Sequence, residues 1–249
     1  MITKRRLIRA LISRISRFSI LIYNYFITNK NLRCIACDKT TVSFSVFEGR
    51  PFGCPYCKSS SRERFVLEAI HNKLLDVNHS GKKIIHVAPG ELAIARLFQK
   101  HGNYHAIDIQ PGNYCGVPIE KADLTKIDSN EKYQDIGLLY ASHVLEHIPD
   151  DLKAMNAIYK SLKTGGEAWF MVPLHDKETL EGKKSDTSKI REELYGQWDH
   201  VRQYGMDIVQ KLESTGFSVN QISIDDLPNE TVANSGLNPE DRIFICTKQ

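Results

Sequence analysis

The stretch from Asp135 to Pro173, DIGLLYASHVLEHIPDDLKAMNAIYKSLKTGGEAWFMVP, decides the fold. Its apolar run over 136–141 predicts a buried parallel strand, and a polar turn with two histidines follows it. Apolar residues at helical spacing predict a helix over 152–162, which Lys-Thr-Gly-Gly ends. A second apolar run predicts a strand over 168–172. A crossover unit of this kind indicates an α/β fold with ligands at the carboxyl ends of the strands.

The 249 residues suffice for one α/β domain and a small module. Charge is distributed unevenly, because residues 1–33 hold eight Lys or Arg and no acidic residue. The remaining residues carry 25 basic and 30 acidic side chains. A slightly acidic body argues against a nucleic-acid groove, which requires clustered positive charge.

Residues 1–30 form the first predicted segment, a basic amphipathic helix. Its longest apolar stretch, 18–27, is interrupted by Asn24 and is shorter than the ~20 residues of a membrane-spanning helix. A signal peptide is not expected, since no small-residue cleavage site follows. Two interpretations remain open: a helix lying on an anionic membrane surface, or one whose apolar face packs on the protein itself or on a second subunit.

Residues 31–60 contain two Cys-x-x-Cys pairs separated by sixteen residues, which is the spacing of a four-cysteine zinc site. The predicted ligands are Cys34, Cys37, Cys54 and Cys57. A strand predicted over 41–47 makes this module a zinc ribbon. Because cysteine fills all four positions and leaves none for substrate, we expect a structural zinc ion. The six cysteines do not resemble a secreted disulfide framework, and a cysteine metal site fits a reducing compartment.

The segment 61–249 carries the α/β domain. A helix is predicted over 61–76 and the first buried strand over 82–87, running into the turn Ala88-Pro89-Gly90-Glu91. The next strand ends in Asp108, where a carboxylate is placed to accept hydrogen bonds from a ribose diol. A local turn or helix cap is the alternative role for this residue. Asp123, with Leu124 beside it, is a weaker candidate for contact with an adenine ring.

Taken in order, the motifs CPYC, SSSRERF, HVAPGE, ADLT, SHVLEHIPDD, TGGEAWFMVP and GQWDHVRQYG resemble one protein family. They are similar to a bacterial zinc-ribbon subgroup of class I S-adenosylmethionine-dependent methyltransferases, in which HxAPE replaces the glycine-rich turn. The resemblance covers residues 34 to about 216 and implies a Rossmann-like sheet with helices on both faces. It also implies S-adenosylmethionine as cofactor, surrounded by His86, Ala88, Pro89, Gly90, Glu91, Asp108, Ile109, Asp123, Leu124, Ser142 and His143.

The acceptor is expected to bind under a lid formed by residues 174–205, a long insert after a strand's carboxyl end. His200 is the first candidate for the base that takes the acceptor's proton, with Asp199 as its orienting partner and His143 and His147 as rivals. Arg202 either binds an anionic acceptor or pins the lid by a salt bridge. The predicted substrate contacts are His147, Trp198, Arg202 and Tyr204.

Three functions follow as hypotheses. The first is O-methylation of a sugar or phosphorylated small molecule for surface-polysaccharide assembly, since genes of the resembled subgroup often accompany such pathways. The second is an RNA methyltransferase that grips RNA with the ribbon, and the third is a non-enzymatic interaction protein with a degenerate core. We expect a cytoplasmic protein, with peripheral contact to the inner membrane through residues 1–30 as one option and nucleic acid disfavoured as a partner.

Overall fold

The computed structural model of the protein describes residues 4–28, 30–47, 50–78 and 82–249. Residues 1–3 and 29 of the predicted N-terminal helix, and residues 48–49 of the predicted ribbon, lie outside the described residues. The helices are α1 (Lys4–Phe26), α2 (Ser61–His71), α3 (Leu92–His101), α4 (Asp151–Ser161), α5 (Ser188–Tyr195), α6 (Ile208–Glu213) and α7 (Asn229–Ser235). The first strands are β1 (Leu32–Cys34), β2 (Lys39–Thr41), β3 (Ser45–Phe47), β4 (Arg50–Gly53), β5 (Lys83–Val87), β6 (Asn103–Asp108) and β7 (Gly112–Tyr114). The remaining strands are β8 (Val117–Lys121), β9 (Ile136–Ser142), β10 (Leu162–Met171), β11 (Leu180–Glu181), β12 (Arg202–Gln203), β13 (Ser218–Ser223) and β14 (Arg242–Thr247).

The chain divides into two compact units. One comprises Met1–Asp76, Glu91–Ile94 and Ser223–Asp241, and we call it the ribbon unit. The other comprises Val77–Gly90, Ala95–Ile222 and Arg242–Gln249, and we call it the sheet unit. The ribbon unit thus joins the two N-terminal segments predicted from the sequence to a C-terminal segment containing α7.

Two small hairpins, β1–β2 and β3–β4, form the ribbon in place of the single strand predicted over 41–47. Next to them, Arg64 of α2 is fully buried, with its guanidinium 4.0 Å from the centre of the Phe44 ring. The guanidinium donates to the carbonyls of Ser59, Ser235 and Gly236. Since a buried cation is costly without such partners, Arg64 ties the ribbon to α2 and to the end of α7.

Helix α1 makes polar contacts with the ribbon through Asn24 and Arg17. Asn24 is buried, and its side-chain amide bonds to the hydroxyl of Thr41 and the backbone N–H of Val42. About two helical turns before Asn24, Arg17 donates to the carbonyl of Pro55. Several apolar side chains of the helix are exposed, namely Leu11, Ile12, Ile15, Phe18, Ile22, Tyr23, Tyr25 and Phe26. The asparagine that interrupts the apolar stretch is therefore the docking residue.

The sheet unit is built on eight strands in the order β13-β14-β10-β9-β5-β6-β8-β7. The central strands β10, β9, β5, β6 and β8 run parallel, whereas β14 and β7 are antiparallel to their inner neighbours. Every residue of β9 is buried, as expected for a strand covered on both faces. The expected α/β fold is confirmed, and β13 and β14 lie at one side of the sheet. Parallel strands bring the carboxyl ends of β5, β6, β8 and β9 to one edge.

Candidate functional sites

The four predicted cysteine ligands converge in the ribbon unit. Their sulfur atoms all lie within 4.8 Å of one another, with Cys34 and Cys57 3.7 Å apart and Cys37 and Cys54 3.8 Å apart. Zn–S bonds of about 2.3 Å in a tetrahedron require sulfurs about 3.8 Å apart. The cluster therefore has the size and shape of a tetrahedral metal site.

Each cysteine pair sits on the same kind of turn. The residue after each pair, Asp38 or Lys58, has a left-handed backbone (φ 58° and 68°) and donates its N–H to the carbonyl of the first cysteine. Burial is the main cause that raises the pKa of the Cys37 thiol, to about 11. Zinc binding at neutral pH must therefore displace protons from the sulfurs, which couples metal binding to folding.

A cleft of about 750 Å³ lies at the carboxyl-end edge of the sheet unit. Loops after β5, β6, β8 and β9 line it, together with one residue from the predicted lid. The lining residues are Val87, Ala88, Asp108, Ile109, Ala122, Asp123, Leu124, Thr125, His143, Val144, His147, Ile148, Pro149, Asp150 and Asp199. Its position is the one at which open parallel sheets bind ligands.

Two lining residues, Ala88 and His143, have left-handed backbones, with φ of 46° and 54°. Each follows a central strand directly, and each donates its N–H to the carbonyl of a neighbouring strand's residue, Ile107 or Met171. A residue with a Cβ in this region of backbone space is strained, and such strain concentrates at functional sites. Neither residue is glycine, so the sequence contained no signal for this conformation.

The two predicted cofactor aspartates differ in their local bonds. Asp108 lines the cleft and accepts one hydrogen bond, from the N–H of Gln110. Asp123 accepts from both the N–H and the hydroxyl of Thr125 and caps the short 3₁₀ helix that follows. The Thr125 hydroxyl is the largest cause that lowers the pKa of Asp123. The local role weighed for Asp123 is therefore present, while Asp108 has fewer local bonds.

Histidines and carboxylates gather beside the cleft. His143 Nδ1 lies 3.3 Å from Oε1 of Glu146, whose side chain is 0% exposed. His147 Nδ1 lies 3.6 Å from Oδ2 of Asp199. The other oxygen of that carboxylate, Oδ1, accepts a hydrogen bond from the side-chain amide of Gln197. The rings of His147 and His200 meet edge to face with centres 4.7 Å apart. The sequence reasoning singled out these histidines and Asp199 but gave no role to Glu146.

His200 is buried beside this group and does not line the cleft. Its Nδ1 is 2.8 Å from the carbonyl of Tyr195, so this nitrogen carries the proton that the carbonyl accepts. Burial is the largest cause that lowers the pKa of His200, which keeps the imidazole neutral at pH 7. Asp199 faces His147 rather than orienting His200 through Nδ1.

The predicted lid is anchored by Arg202, which is 3% exposed. The guanidinium donates to Glu181 and to the carbonyls of Leu145, Ile148 and Pro149. These bonds occupy its donors, so the geometry supports the lid-pinning alternative over the anion-binding one. Tyr204 is also buried, with its hydroxyl bonded to Asp151, while the half-exposed Trp198 lies outside the cleft lining.

His86 corrects the expected cofactor set. It is fully buried on β5, with Phe98, Tyr104 and Tyr140 around its ring, so it packs behind the strand rather than facing the cleft. Four other expected cofactor contacts also fall outside the lining, namely Pro89, Gly90, Glu91 and Ser142. The sequence reasoning missed Val87, Ala122, Thr125, Val144, Ile148, Pro149 and Asp150, although each adjoins a residue or motif that it had singled out.

Comparisons with known proteins agree with this architecture. A family model described as a methyltransferase domain matches residues 60–219. A SAM-dependent methyltransferase from Archaeoglobus fulgidus superposes with a TM-score of 0.51 at 16% identity, covering 76% of this chain and 95% of that one. The 1,6-didemethyltoxoflavin-N1-methyltransferase of Burkholderia thailandensis, solved with bound 1,6-didemethyltoxoflavin and S-adenosylhomocysteine, gives a TM-score of 0.51 at 12% identity over 76% of this chain and 78% of that one. No curated protein sequence matches the chain. At such identities the two structures show the fold alone.

Proposed function

The chain belongs to the methyltransferase-domain family, and from that premise we propose that it is an S-adenosylmethionine-dependent O-methyltransferase acting on a sugar hydroxyl in surface-glycan assembly. One observation carries the proposal. The cleft combines a carboxylate at the end of the second central strand, Asp108, with a histidine–carboxylate group at its edge. The first feature suits a nucleoside, and the second suits removal of a proton.

The nucleoside part of the cofactor would bind along the loops after β6 and β8. Asp108 would accept hydrogen bonds from the ribose hydroxyls, and Leu124 would pack on the adenine ring. The cleft volume of about 750 Å³ lies within the range of ~300–1,000 Å³ that small-molecule sites occupy. Bound S-adenosylmethionine would supply the electrophilic methyl group.

We propose His143 as the base, with Glu146 as the residue that orients it, because His143 lines the cleft and lies 3.3 Å from Glu146. The acceptor's O–H proton would move to His143 while the oxygen forms a bond to the methyl carbon. Bound S-adenosylmethionine would supply that methyl group from its sulfonium and would leave as S-adenosylhomocysteine, with the electron pair of the S–CH₃ bond on sulfur. His200, the first candidate from the sequence, is then the rival base, with its Nε2 as the available atom.

The charge of the cleft favours a neutral acceptor over a phosphorylated one or RNA. Four carboxylates line it, from Asp108, Asp123, Asp150 and Asp199, and none of the lining residues in the described part of the chain is Lys or Arg. Such a lining repels phosphate, and the donors of Arg202 are already engaged. The carbonyls and carboxylates accept hydrogen bonds instead, which suits the hydroxyls of a sugar.

We also propose that the cysteine cluster holds one structural zinc ion. Zinc fits the sulfur spacing, and four thiolates complete its shell without leaving a position for substrate. The ion would stabilise a module whose own apolar cluster is small, consisting of Cys34, Phe44 and Cys54 with partly buried neighbours.

Calorimetry with S-adenosylhomocysteine, followed by methyl-transfer assays, tests the enzymatic proposal. We expect binding, and transfer of a labelled methyl group to neutral glycans or nucleotide-free sugars in preference to RNA. A folded protein that binds no S-adenosylhomocysteine would support the non-enzymatic alternative. Preferential labelling of RNA, together with an RNA mobility shift weakened by salt, would support the RNA alternative.

We propose, finally, that α1 makes peripheral contact with an anionic membrane. No helix in the described part of the chain has the length and apolarity to cross a bilayer. The polar side of α1 faces the ribbon, whereas Phe18 is 65% exposed and Leu11, Ile15 and Ile22 share its side of the helix. With eight cationic and no acidic residues in 1–33, the segment suits anionic headgroups.

Vesicle sedimentation tests this contact. Phosphatidylglycerol vesicles should pellet the protein at low salt and release it at high salt, whereas phosphatidylcholine vesicles should not pellet it. Phe18→Ser/Ile22→Ser should abolish pelleting, and Ile190→Ser/Leu194→Ser, a matched pair of exposed apolar residues on α5, should retain it. Equal pelleting of all three proteins would refute the proposal. A dimer in solution that only Phe18→Ser/Ile22→Ser dissociates would instead assign the face to a second copy.

A further inference from the structure

We propose that Glu146, His147 and His200 form a second metal site, for a divalent transition-metal ion, at the edge of the cleft. Each of the three side chains offers one ligand atom, and these atoms all lie within 4.8 Å of one another. Two imidazoles and one carboxylate on one side of an ion leave positions open for other ligands. The binding of the ion is independent of the methyl-transfer proposal, and only the role given to it below rests on that proposal.

The backbone brings these ligands together from two distant segments. Glu146 and His147 lie on the short 3₁₀ turn after β9, and His200 lies in the lid. The N–H of Val201, next to His200, donates to the carbonyl of Glu146 at 2.9 Å. The bonds of Arg202 to Leu145, Ile148 and Pro149 fix the same two segments to each other. The ligand group is thus held by a rigid frame before any ion binds.

Both histidines are oriented in the manner of metal ligands. His200 Nδ1 donates to the carbonyl of Tyr195, which leaves Nε2 as the nitrogen with a lone pair for an ion. His147 Nδ1 faces the carboxylate of Asp199, and Gln197 holds that carboxylate in turn. A carbonyl or carboxylate on the distal nitrogen fixes the tautomer and raises the basicity of a ligating imidazole. One histidine here has a carbonyl partner and the other a carboxylate partner.

The side chains around Glu146 also favour a bound cation. Its carboxylate is fully buried, and Asp199 adds a second negative charge behind His147. His143 Nδ1 lies 3.3 Å from the same Glu146 carboxylate. A divalent ion would compensate the buried charge and occupy the space between the lone pair of His200 and the carboxylate.

The donor set distinguishes this site from the cysteine cluster. Imidazole and carboxylate ligands suit Mn²⁺, Fe²⁺, Co²⁺ and Zn²⁺, whereas four thiolates favour softer metal ions, among them zinc. Because His147 and Asp199 line the cleft, an ion here would be in reach of a bound acceptor. It would coordinate the acceptor hydroxyl and lower the pKa of that group, easing loss of the proton to His143.

Mn²⁺ is the probe, because it avoids thiolates and its electron paramagnetic resonance signal falls when it binds protein. Zinc-loaded full-length protein should bind one Mn²⁺ per chain with S-adenosylhomocysteine absent. Glu146→Gln and His147→Ala/His200→Ala should each weaken that binding by about tenfold or more while retaining ribbon zinc. The matched control is His105→Ala, since His105 and Glu120 form another histidine–carboxylate pair, at 3.4 Å, outside both ligand clusters found among the described residues.

Binding of neither Mn²⁺ nor a second zinc equivalent by the folded wild-type protein would overturn the proposal. So would Mn²⁺ binding that the His105 variant loses as much as the Glu146 and histidine variants. Circular dichroism and S-adenosylhomocysteine binding identify variants that fail to fold. If Mn²⁺ binds as expected but no acceptor is methylated, the site stands and the proposed function fails. If methylation proceeds unchanged in chelator and the variants bind Mn²⁺ normally, the site fails and the proposed function stands.

Discussion

The ribbon and the cleft use opposite strategies to bring reactive groups together. The ribbon takes four identical ligands from two self-contained turns within residues 34–57, and each turn is closed by its own backbone bond. The cleft takes its lining from separate loops between Val87 and Asp199, and only the parallel sheet brings those loops to one edge. A site of the first kind can be read from spacing, whereas a site of the second kind requires the topology.

The energies of the two regions should differ in the same way. Zinc binding to four cysteines contributes on the order of ~10–16 kcal/mol to the folding of small modules. A single charge-assisted hydrogen bond in a cleft contributes about 1.5–3 kcal/mol. Loss of one cysteine should therefore affect the fold of the ribbon unit, while loss of one cleft residue should affect only a binding or chemical step.

Cys54→Ser should have the largest effect, because Cys54 is buried and is one of the four proposed metal ligands. We expect loss of the tightly bound zinc and earlier unfolding of the ribbon unit. Metal analysis after dialysis measures the first effect, and hydrogen exchange of the ribbon unit's amides in increasing urea measures the second. Tryptophan fluorescence would miss them, since both tryptophans, Trp169 and Trp198, lie in the sheet unit.

Cys115→Ser is the matched control for this prediction. Cys115 is exposed and lies outside the metal-ligand clusters of the described residues, so its loss should leave zinc content and ribbon stability unchanged. Full zinc content and normal stability in Cys54→Ser would refute a structural zinc at this cluster.

Sequence reasoning succeeded where a local pattern determined the structure. The cysteine spacing predicted the cluster, and the apolar runs with the glycine-ended helix predicted the parallel sheet around β9 and β10. Asp108 and His143 were singled out because they follow predicted strands directly, and both line the cleft, while their roles stay predictions. These inferences needed only the alternation of elements and the rule that ligands bind at carboxyl ends.

The failures share one cause. The sequence around a residue does not show what that residue will pack against in the folded chain. His86 was taken for a cofactor residue from its place in a motif, but an aromatic core surrounds it. Glu146 was passed over because His200 comes from a distant segment and lies beside it only in the folded chain. In α1, the hydrophobic pattern could not reveal that Asn24 would supply the docking contact.

His143→Ala should have the next largest effect, on turnover. A base contributes ~10²–10⁴-fold to a proton-coupled transfer, and we expect a loss of that order. Cofactor affinity should change little if the imidazole acts on the acceptor. Methyl-transfer kinetics and S-adenosylhomocysteine calorimetry separate the two quantities, with His105→Ala as the control histidine in the same unit.

The rival base makes this prediction sharper. If His200 Nε2 takes the proton, His200→Ala should lose turnover by the same factor while His143→Ala retains it. If the metal site is present, His200→Ala should instead lose Mn²⁺ binding together with turnover. Full turnover in His143→Ala would show that the base is not at the end of β9.

Asp108→Ala should weaken cofactor binding by about tenfold or more, since it removes a charge-assisted bond worth about 1.5–3 kcal/mol. The effect is smaller than that of a ribbon cysteine because the side chain supports a ligand and not the fold. Calorimetry with S-adenosylhomocysteine measures it, and the exposed Asp225→Ala serves as control. Unchanged affinity in Asp108→Ala would move the ribose to another part of the cleft.

The smallest expected effect is a pH-dependent change in stability that comes from Asp241, a buried carboxylate of the ribbon unit. Burial raises the pKa of Asp241 to about 6, and Oδ2 has no hydrogen-bond partner among the described residues. The folded protein therefore holds this proton more tightly than the unfolded chain, so the stability that the group contributes is lost as pH rises towards 7.

Asp241→Asn does not titrate and should keep the bond with Asn238. The free energy of unfolding of the variant, relative to that of wild type, should rise by about 1 kcal/mol between about pH 5 and about pH 7. Zinc release during urea unfolding measures this difference. Acid-driven zinc loss affects both proteins and cancels in the difference. A difference independent of pH would show that Asp241 is already ionised at pH 5, and that the ribbon unit owes its stability to zinc and packing without a titrating carboxylate.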